Sequence, residues 1–252
     1  MTEAVIVATA RTPIGRAFKG SLKDIRPDDL SAQVVHGLLA KLPGLDPSTI
    51  DDLYWGCADP SGRHGSNMAR VIAVLAGMDH LPAATINRFC ASSTQTMRMA
   101  FHAIKAGEGD TFLVGGVECV SQYTSFAGAG GSDADTQNPL FADSAARSAE
   151  MAASNATWTD PREAGMLPDI YLSMGQTAEN VATDFRIERV AQDRFALASQ
   201  LKAVAAQKAG FFDGEITPVT IAQKKGDPVV VVKDEHPRET SLEALAKLKG
   251  VV

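Results

Sequence analysis

The sequence predicts an α/β fold in which a sheet is flanked by helices, and three observations lead to this prediction. Short apolar segments of strand length alternate with segments of helical periodicity over the first 120 residues. The chain has 252 residues, of which 45% are hydrophobic and 21% charged, enough for one large domain or two small ones. After residue 120 the pattern changes. We therefore predict a first domain over residues 1–120 and a second, inserted α+β domain over residues 121–252.

The first predicted domain has the order β-α-β-α-β-α-β. Continuous apolar runs typical of buried strands occupy residues 4–8, 52–56, 83–87 and 111–114. Apolar spacing predicts helices over residues 28–42, from about 66 to 77 and from just after Cys90 to Gly107. The second helix should bury Met68, Val71, Ile72 and Leu75, and the third carries Met97, Phe101 and Ile104 at helical spacing.

The second predicted domain begins with residues 125–163, which show little periodicity and whose clearest break is Gly-Ala-Gly-Gly at 128–131. A stretch of this kind is usually a functional loop, a partner-binding segment or disordered. Order then returns, with Ser173 and Gln176 as a capping box. The elements predicted after it are a helix with an apolar stripe to Phe185, a helix over 190–209 with Phe195 and Leu201 inward, strands over 216–219 and 229–232, and a helix over 241–248.

Cys90 carries the clearest chemical signal. The predicted strand ends at Asn87 and a helix begins shortly after Cys90, so the thiol should lie at or near a helix N-terminus. Free backbone N–H groups and the helix dipole favour the thiolate there, and the thiolate is the nucleophile. The small residues 91–93 leave room for a bulky substrate, and the same amides could bind an oxyanion. We hypothesise an acyl-accepting nucleophile; the alternative is a small, buried apolar side chain.

Composition excludes several classes of protein. The net charge of −6 and the pI of about 5.4 give no general basic field, so nucleic acid is not an expected partner. The three cysteines form no CxxC pair, which indicates neither a disulfide framework nor a zinc site and fits a reducing, cytoplasmic compartment. Neither a signal peptide nor an apolar run long enough to span a bilayer is present, so we expect no membrane association.

The histidines give no sign of a metal site. His64 lies in a Gly-rich loop, residues 62–65, where we expect a solvent-exposed side chain rather than a base or ligand. His80, His102 and His236 have no cysteine or carboxylate at a convincing ligand spacing, so we predict no metal.

Several stretches resemble the thiolase family, in the family's order and over essentially the whole chain. The most specific are NRFCASS at 87–93 and GGVECVS at 115–121, supported by VIVATARTPIG at 5–15, MGQTAENVA at 174–182 and TSLEALAKLK at 240–249. The resemblance is closest to degradative acyltransferases of fatty-acid β-oxidation. It implies two similar halves, each a mixed sheet flanked by helices, with a loop domain inserted in the first half to cover coenzyme A (CoA).

The resemblance also implies an activity and its residues. The residue matching Cys90 takes an acyl group from 3-ketoacyl-CoA and releases acetyl-CoA, and a second CoA then collects the acyl group; the reverse direction is a condensation. CoA is a substrate here, not a permanently bound cofactor. Lys224 falls where relatives carry a basic CoA contact, and Ser173 with Met174 falls where many relatives have His-Met along the pantetheine tunnel. The family also implies a homodimer or dimer of dimers, with Cys119 structural near the dimer interface.

The proposed CoA-contact residues also have purely structural interpretations. Lys224 and Lys225 could be a solvated pair beside a turn, and Met174 could be an ordinary core residue.

Other family motifs are missing from this sequence. It contains neither the Gly-His-Pro that supplies the family's catalytic base nor the Cys-Gly-Gly of its second cysteine. We therefore expect an N-terminal part of a thiolase, with little turnover as an isolated chain. The alternatives are a catalytically incomplete CoA- or acyl-CoA-binding fragment that needs a partner half, or a condensing enzyme of the ketoacyl-synthase group.

Overall fold

A computed structural model describes residues 3–123, 137–154 and 156–250. The described residues form two compact units: residues 3–123 with Gly210–His236, and residues 137–209 with 237–250. The α/β class predicted from the sequence is confirmed, while the proposed division at residue 120 stays a prediction.

A parallel sheet of three strands organises the first unit. Its strands are β1 (Asp52–Gly56), β2 (Ala83–Ile86) and β3 (Phe112–Gly116), in the order β2-β1-β3. Trp55 of β1 pairs with Thr85 of β2 and with Gly115 of β3. The central position of β1 explains why Leu53 is fully buried. The strands predicted at 52–56, 83–87 and 111–114 are confirmed to within two residues.

Three helices flank this sheet: α1 (Pro27–Leu39), α2 (Met68–Leu75) and α3 (Ser92–Ala106). Helix α1 packs against α2, and α2 packs against β1 and β2, while α3 packs against all three strands. The main core consists of Val35, Ile50, Leu53, Trp55, Cys57, Met68, Ala69, Ile72, Ala73, Met78, Leu81 and Leu113. The three helices predicted from apolar spacing are therefore present.

An antiparallel pair, β4 (Val219–Ile221) and β5 (Val229–Val231), completes the first unit. The predicted strand at 216–219 is wrong by about three residues. Its residues Ile216 and Thr217 instead pair with Arg11, whose carbonyl accepts a hydrogen bond of 2.8 Å from the Thr217 N–H. Residues 216–217 bridge to the N-terminal segment, and the hairpin ladder with β5 begins only at Val219.

Arg11 joins the N-terminal segment to Glu215 and Asp234 through its guanidinium group. Its guanidinium donates to both carboxylate oxygens of Asp234, at 2.7 and 2.9 Å, and to Glu215 at 2.5 Å. Asp234 also accepts from the Ile14 N–H at 2.8 Å. The hydrogen bonds from Arg11 hold the pKa of the Asp234 carboxyl below its usual range.

Asp234→Asn should therefore destabilise the protein in a pH-dependent way. We expect a loss of about 2 kcal/mol near neutral pH, because hydrogen bonds to charged groups are lost. A carboxylate with a lowered pKa contributes stability above its unfolded pKa of about 3.9 and loses it as pH falls through the folded value. The difference between wild type and variant should thus shrink in acid, as measured by urea unfolding over a pH series. Asp24→Asn, which alters the exposed Lys23–Asp24 pair, should have little effect. A difference for Asp234→Asn that stays constant into acid would contradict the prediction.

The buried strand predicted at residues 4–8 is wrong. No strand forms there, and Val5, Ile6 and Val7 are all more than 70% exposed. An apolar run indicates a strand that can be buried on both faces, but burial also requires neighbours on both faces. Within the described ranges no element covers these three side chains.

The predicted apolar faces of α2 and α3 are also partly wrong. Val71, Leu75, Met97 and Phe101 are exposed, although Met68 and Ile72 are buried as predicted. Helix α3 instead packs through small side chains, namely Ser92, Thr96, Ala100 and Ala103. The physical reason is the close approach of α3 to the sheet, which leaves no room for large side chains.

The second unit is mainly helical: α4 (Ala142–Ala153), α5 (Met174–Asp184), α6 (Arg189–Lys208) and α7 (Leu242–Ala246). The helices predicted after Ser173, over 190–209 and over 241–248 are confirmed. The expected inward faces are wrong, because Phe185 and Phe195 are at least 75% exposed and Leu201 is 51% exposed. None of the residues of helix α6 is buried.

Helix α4 corrects the expectation that residues 125–163 lack clear elements. Its alanines favour a helix, but it buries hydroxyls rather than large apolar groups, which hid its periodicity. Ser144 donates to the Leu167 carbonyl, and Ser148 accepts from the Trp158 indole N–H at 3.1 Å. The predicted break at 128–131 lies outside the described residues.

Candidate active site

The turn between β2 and α3 presents the thiol of Cys90 at the surface. Strand β2 ends at Ile86, Ala91 is the N-cap residue, and α3 begins at Ser92. Cys90 is exposed and free, which excludes the alternative of a buried apolar side chain. The thiol lies beside the first turn of α3, where backbone N–H groups and the positive end of the helix dipole are found.

A short network of hydrogen bonds holds this turn. Ser92 is 4% exposed, and its Oγ accepts from the Arg88 N–H at 2.9 Å and donates to the Phe89 carbonyl at 2.6 Å. The Asn87 side chain accepts from the Phe89 N–H at 2.8 Å. Phe89 has a positive φ of 47°, an unusual conformation for a non-glycine residue that this network maintains. The residues on either side of Cys90 are therefore held in one conformation.

Two glycines allow the first turn of α3 to pack closely against the ends of β1 and β3. A Cβ added to Gly56, at the end of β1, would lie 2.8 Å from backbone atoms of Ser92 and Ser93. One added to Gly116, at the end of β3, would lie 2.3 Å from the Ser93 Oγ. Sequence reasoning missed this role, although the glycines at or just after the ends of the strands predicted at 52–56 and 111–114 were an available signal. These glycines place Cys90 above the carboxyl edge of the sheet.

The other two cysteines have buried, unreactive thiols. Cys57 and Cys119 are buried and free, and burial raises the pKa of each thiol to about 12. The Glu118 carboxylate accepts from the Ala58 N–H at 2.7 Å and lies 3.5 Å from the Cys57 Sγ. Both thiols therefore stay protonated at neutral pH, and Cys90 is the accessible thiol of the three.

His64 is the clearest error of the sequence prediction in this region. It is not an exposed loop residue: it is fully buried, and its Nε2 accepts a hydrogen bond of 3.0 Å from the Cys119 N–H. Burial lowers the pKa of its imidazole. The local Gly-Arg-His-Gly sequence indicates a surface loop, but residues 119–123 and helix α1 pack against this loop.

The predicted CoA contacts fall in both units. Exposed Lys224 lies between β4 and β5 in the first unit, on the turn where Gly226 has a φ of 87°. Ser173 and Met174 lie at the start of α5 in the second unit. The Ser173 Oγ accepts from the Gln176 N–H at 3.3 Å, but the Gln176 side chain donates to Asn180, so the capping box is only half formed.

Met174 is 73% exposed, so it is not a core residue of the second unit. It lines an open, mainly apolar groove of about 420 Å³ with Thr177, Ala178, Val181, Ala182, Ile187 and Gln192. Such a surface can accept a flexible, largely apolar chain.

The described residues contain neither a metal-binding cluster nor a membrane-spanning helix. No group of three or more His, Cys, Asp or Glu side chains is arranged to hold a metal ion in the part of the chain that the structure describes. Within the same ranges, no helix combines the length and the apolar character needed to cross a bilayer.

Comparisons with known proteins place these features in context. A family profile described as "Thiolase, N-terminal domain" matches residues 4–252. A beta-ketoadipyl-CoA thiolase of Acinetobacter baylyi is 42% identical over 255 residues, covering 100% of this chain and 60% of the relative. A 3-oxoadipyl-CoA/3-oxo-5,6-dehydrosuberyl-CoA thiolase of Escherichia coli is 40% identical, with 99% and 60% covered. A probable acetyl-CoA acyltransferase of Staphylococcus aureus is 38% identical, with 99% and 59% covered. The chain thus spans about 60% of the length of the curated relatives it matches.

Proposed function

We propose that this chain, which belongs to the thiolase family, carries an acyl group on the Cys90 sulfur during CoA-dependent acyl transfer. The observation that supports this most directly is the exposed Cys90 thiol at the start of α3, on a turn held by hydrogen bonds. A helix N-terminus favours thiolate formation. The N–H groups of Ala91 and Ser92 already donate to the Arg88 and Phe89 carbonyls, at 3.0 Å each, so these two amides are not proposed as oxyanion donors.

The proposed substrate class is 3-ketoacyl-CoA, which the names of the relatives support. In the cleavage direction, the Cys90 thiolate attacks the C3 carbonyl carbon and forms a tetrahedral oxyanion. Collapse of the oxyanion breaks the C2–C3 bond, and the leaving acetyl-CoA carbanion takes up a proton. The thiol of a second CoA then gives up its proton, which balances the proton taken up by the carbanion, and its sulfur attacks the Cys90 thioester, releasing the shortened acyl-CoA and the Cys90 thiolate. A role in β-oxidation is proposed from the sequence resemblance.

CoA contacts are proposed within each unit taken by itself. Lys224 and Lys225 lie on an exposed turn and offer positive charge to the phosphates of CoA. The apolar groove beside Met174 offers a surface for the pantetheine chain. The Ser173 hydroxyl already accepts a hydrogen bond as the N-cap of α5. In this proposal Ser173 therefore contributes by its position beside Met174 and not by a polar contact to CoA.

A second candidate is a CoA- or acyl-CoA-binding fragment. It is favoured by one observation: the sequence has no Gly-His-Pro motif to deprotonate the thiol. We propose that the chain alone has little steady-state turnover. A homodimer or dimer of dimers and a cytoplasmic location are proposed from the sequence resemblance.

Intact-mass spectrometry after incubation with acetyl-CoA tests the proposal. In this half-reaction the Cys90 sulfur attacks the acetyl carbonyl and CoA leaves as its thiol. We expect one acetyl adduct, lost in Cys90→Ala and retained in Cys57→Ala, because Cys57 is buried and protonated. An adduct that survives in Cys90→Ala would refute the assignment. CoA binding without an adduct would favour the fragment.

A further inference from the structure

The imidazole of His64 is buried against the turn that follows β3. Its Nε2 accepts from the Cys119 N–H at 3.0 Å, and its ring meets Tyr123 edge to face, with centroids 5.6 Å apart and planes at 67°. A backbone N–H can only donate, so Nε2 carries a lone pair. The ring is therefore neutral, with its proton on Nδ1.

The other ring nitrogen makes the arrangement unusual. Nδ1 is buried and has no hydrogen-bond partner within the described residues. Most buried polar groups in proteins are paired. The polar contact of this ring thus depends on Nε2 alone, and on Nε2 staying unprotonated.

We infer that His64 is an acid-sensitive latch that holds residues 119–123 against the loop following β1. Protonation at Nε2 would set its N–H against the Cys119 N–H, two donors with no acceptor between them. The proton comes from solvent, and no covalent bond changes. The inference goes beyond the proposed acyl transfer and does not depend on it.

Opening of this latch would be local. The same turn keeps other contacts: the Ser121 Oγ accepts from the Phe18 N–H at 2.9 Å, and the Gln122 side chain accepts from Arg63 at 3.1 Å. What loses its anchor is the backbone at Cys119. We therefore expect the buried Cys119 thiol to become accessible in acid while the sheet stays folded.

The charges around the ring set the direction of the effect. Acidic groups act on it from three segments, and they favour the protonated ring: Asp28 of α1, Asp59 of the loop after β1, and Glu118 after β3. Desolvation opposes them, is the larger influence, and lowers the pKa of His64. A lowered pKa keeps the latch closed at neutral pH.

The remaining ionisable groups nearby do not reverse this direction. Burial raises the pKa of Cys119 and of Tyr123, so both are neutral over the relevant range. Arg63 donates to Gln122, and Arg26 pairs with Asp28 at 2.7 Å. The folded state therefore binds fewer protons than the unfolded state below the ordinary histidine pKa of about 6.5, and stability falls as pH drops through that value.

Thiol labelling with dithiodipyridine tests the latch, in a Cys90→Ala background that removes the accessible thiol. Labelling of Cys119 is measured by peptide mass spectrometry at about pH 7.5 and pH 5.5, on either side of the ordinary histidine pKa. Each rate is divided by that of the urea-unfolded protein at the same pH. We expect the normalised rate to rise about tenfold in acid. Opening is linked to the uptake of one proton by His64, so it becomes about tenfold more favourable for each pH unit below the ordinary histidine pKa.

Two variants decide the outcome. His64→Gln offers a carbonyl oxygen to the Cys119 N–H but does not titrate, so its normalised rate should not change with pH. His102→Gln, on the exposed surface of α3, should behave like the parent. The same acid response in His64→Gln, or none in the parent, would overturn the latch. If circular dichroism shows that His64→Gln is unfolded, the parent is titrated by NMR, where the His64 ring and Cys119 amide signals must shift with one midpoint; separate midpoints would refute it.

Discussion

Gly56→Val will lower the free energy of unfolding by about 3 kcal/mol, because side-chain atoms inserted into a close-packed contact force the surroundings to move. The new Cβ would lie 2.8 Å from the Ser92 carbonyl carbon and the Ser93 nitrogen. These are backbone atoms in the first turn of α3, so they cannot rotate away. Urea unfolding followed by circular dichroism measures the loss.

The matched control for this substitution is Gly44→Val. Gly44 has no heavy atom within 4 Å of an added Cβ, so the same change there should cost much less. Since Gly56 positions the start of α3, its valine variant should also form less of the Cys90 acetyl adduct at a temperature where it remains folded. Equal stability of the two variants would show that the contact is not as close as the structure indicates.

Leu53→Ala will cost about 2–5 kcal/mol, the range found when a buried leucine is truncated and leaves a cavity. Leu53 is fully buried in β1, the central strand, and belongs to the main core. It is paired in the sheet with Ala83 on one side and Leu113 on the other. Because β1 is hydrogen-bonded to a strand on each side, the backbone around Leu53 cannot move in to fill the cavity without disturbing the sheet.

Leu75→Ala supplies the control, because Leu75 of α2 is 45% exposed. The same atoms are removed from a side chain that already contacts water, so the loss in unfolding free energy should be a small part of that for Leu53→Ala. A comparable loss at both positions would mean that the apolar face of α2 is covered in solution.

The sequence alone determined strands β1, β2 and β3, the three helices that flank them and the place of Cys90. Strands β1, β2 and β3 were predictable because each is a short apolar run ended by residues that break a strand. The Cys90 turn was predictable because strand, turn and helix signals lie next to one another in the chain. Ser173 was likewise recognised as an N-cap, since capping depends on residues three positions apart.

The tertiary structure decided which surfaces are buried. Val5 and Phe195 have the side chains of core residues, yet both are exposed, because burial depends on a neighbour that the local pattern does not contain. His64 lies in a loop of surface character, yet it is buried, because the turn that covers it lies 55 residues away in the chain. The requirement for glycine at position 56 has the same origin. The start of α3 packs so closely against Gly56 that a side chain would not fit, and this contact joins segments that are distant in the sequence.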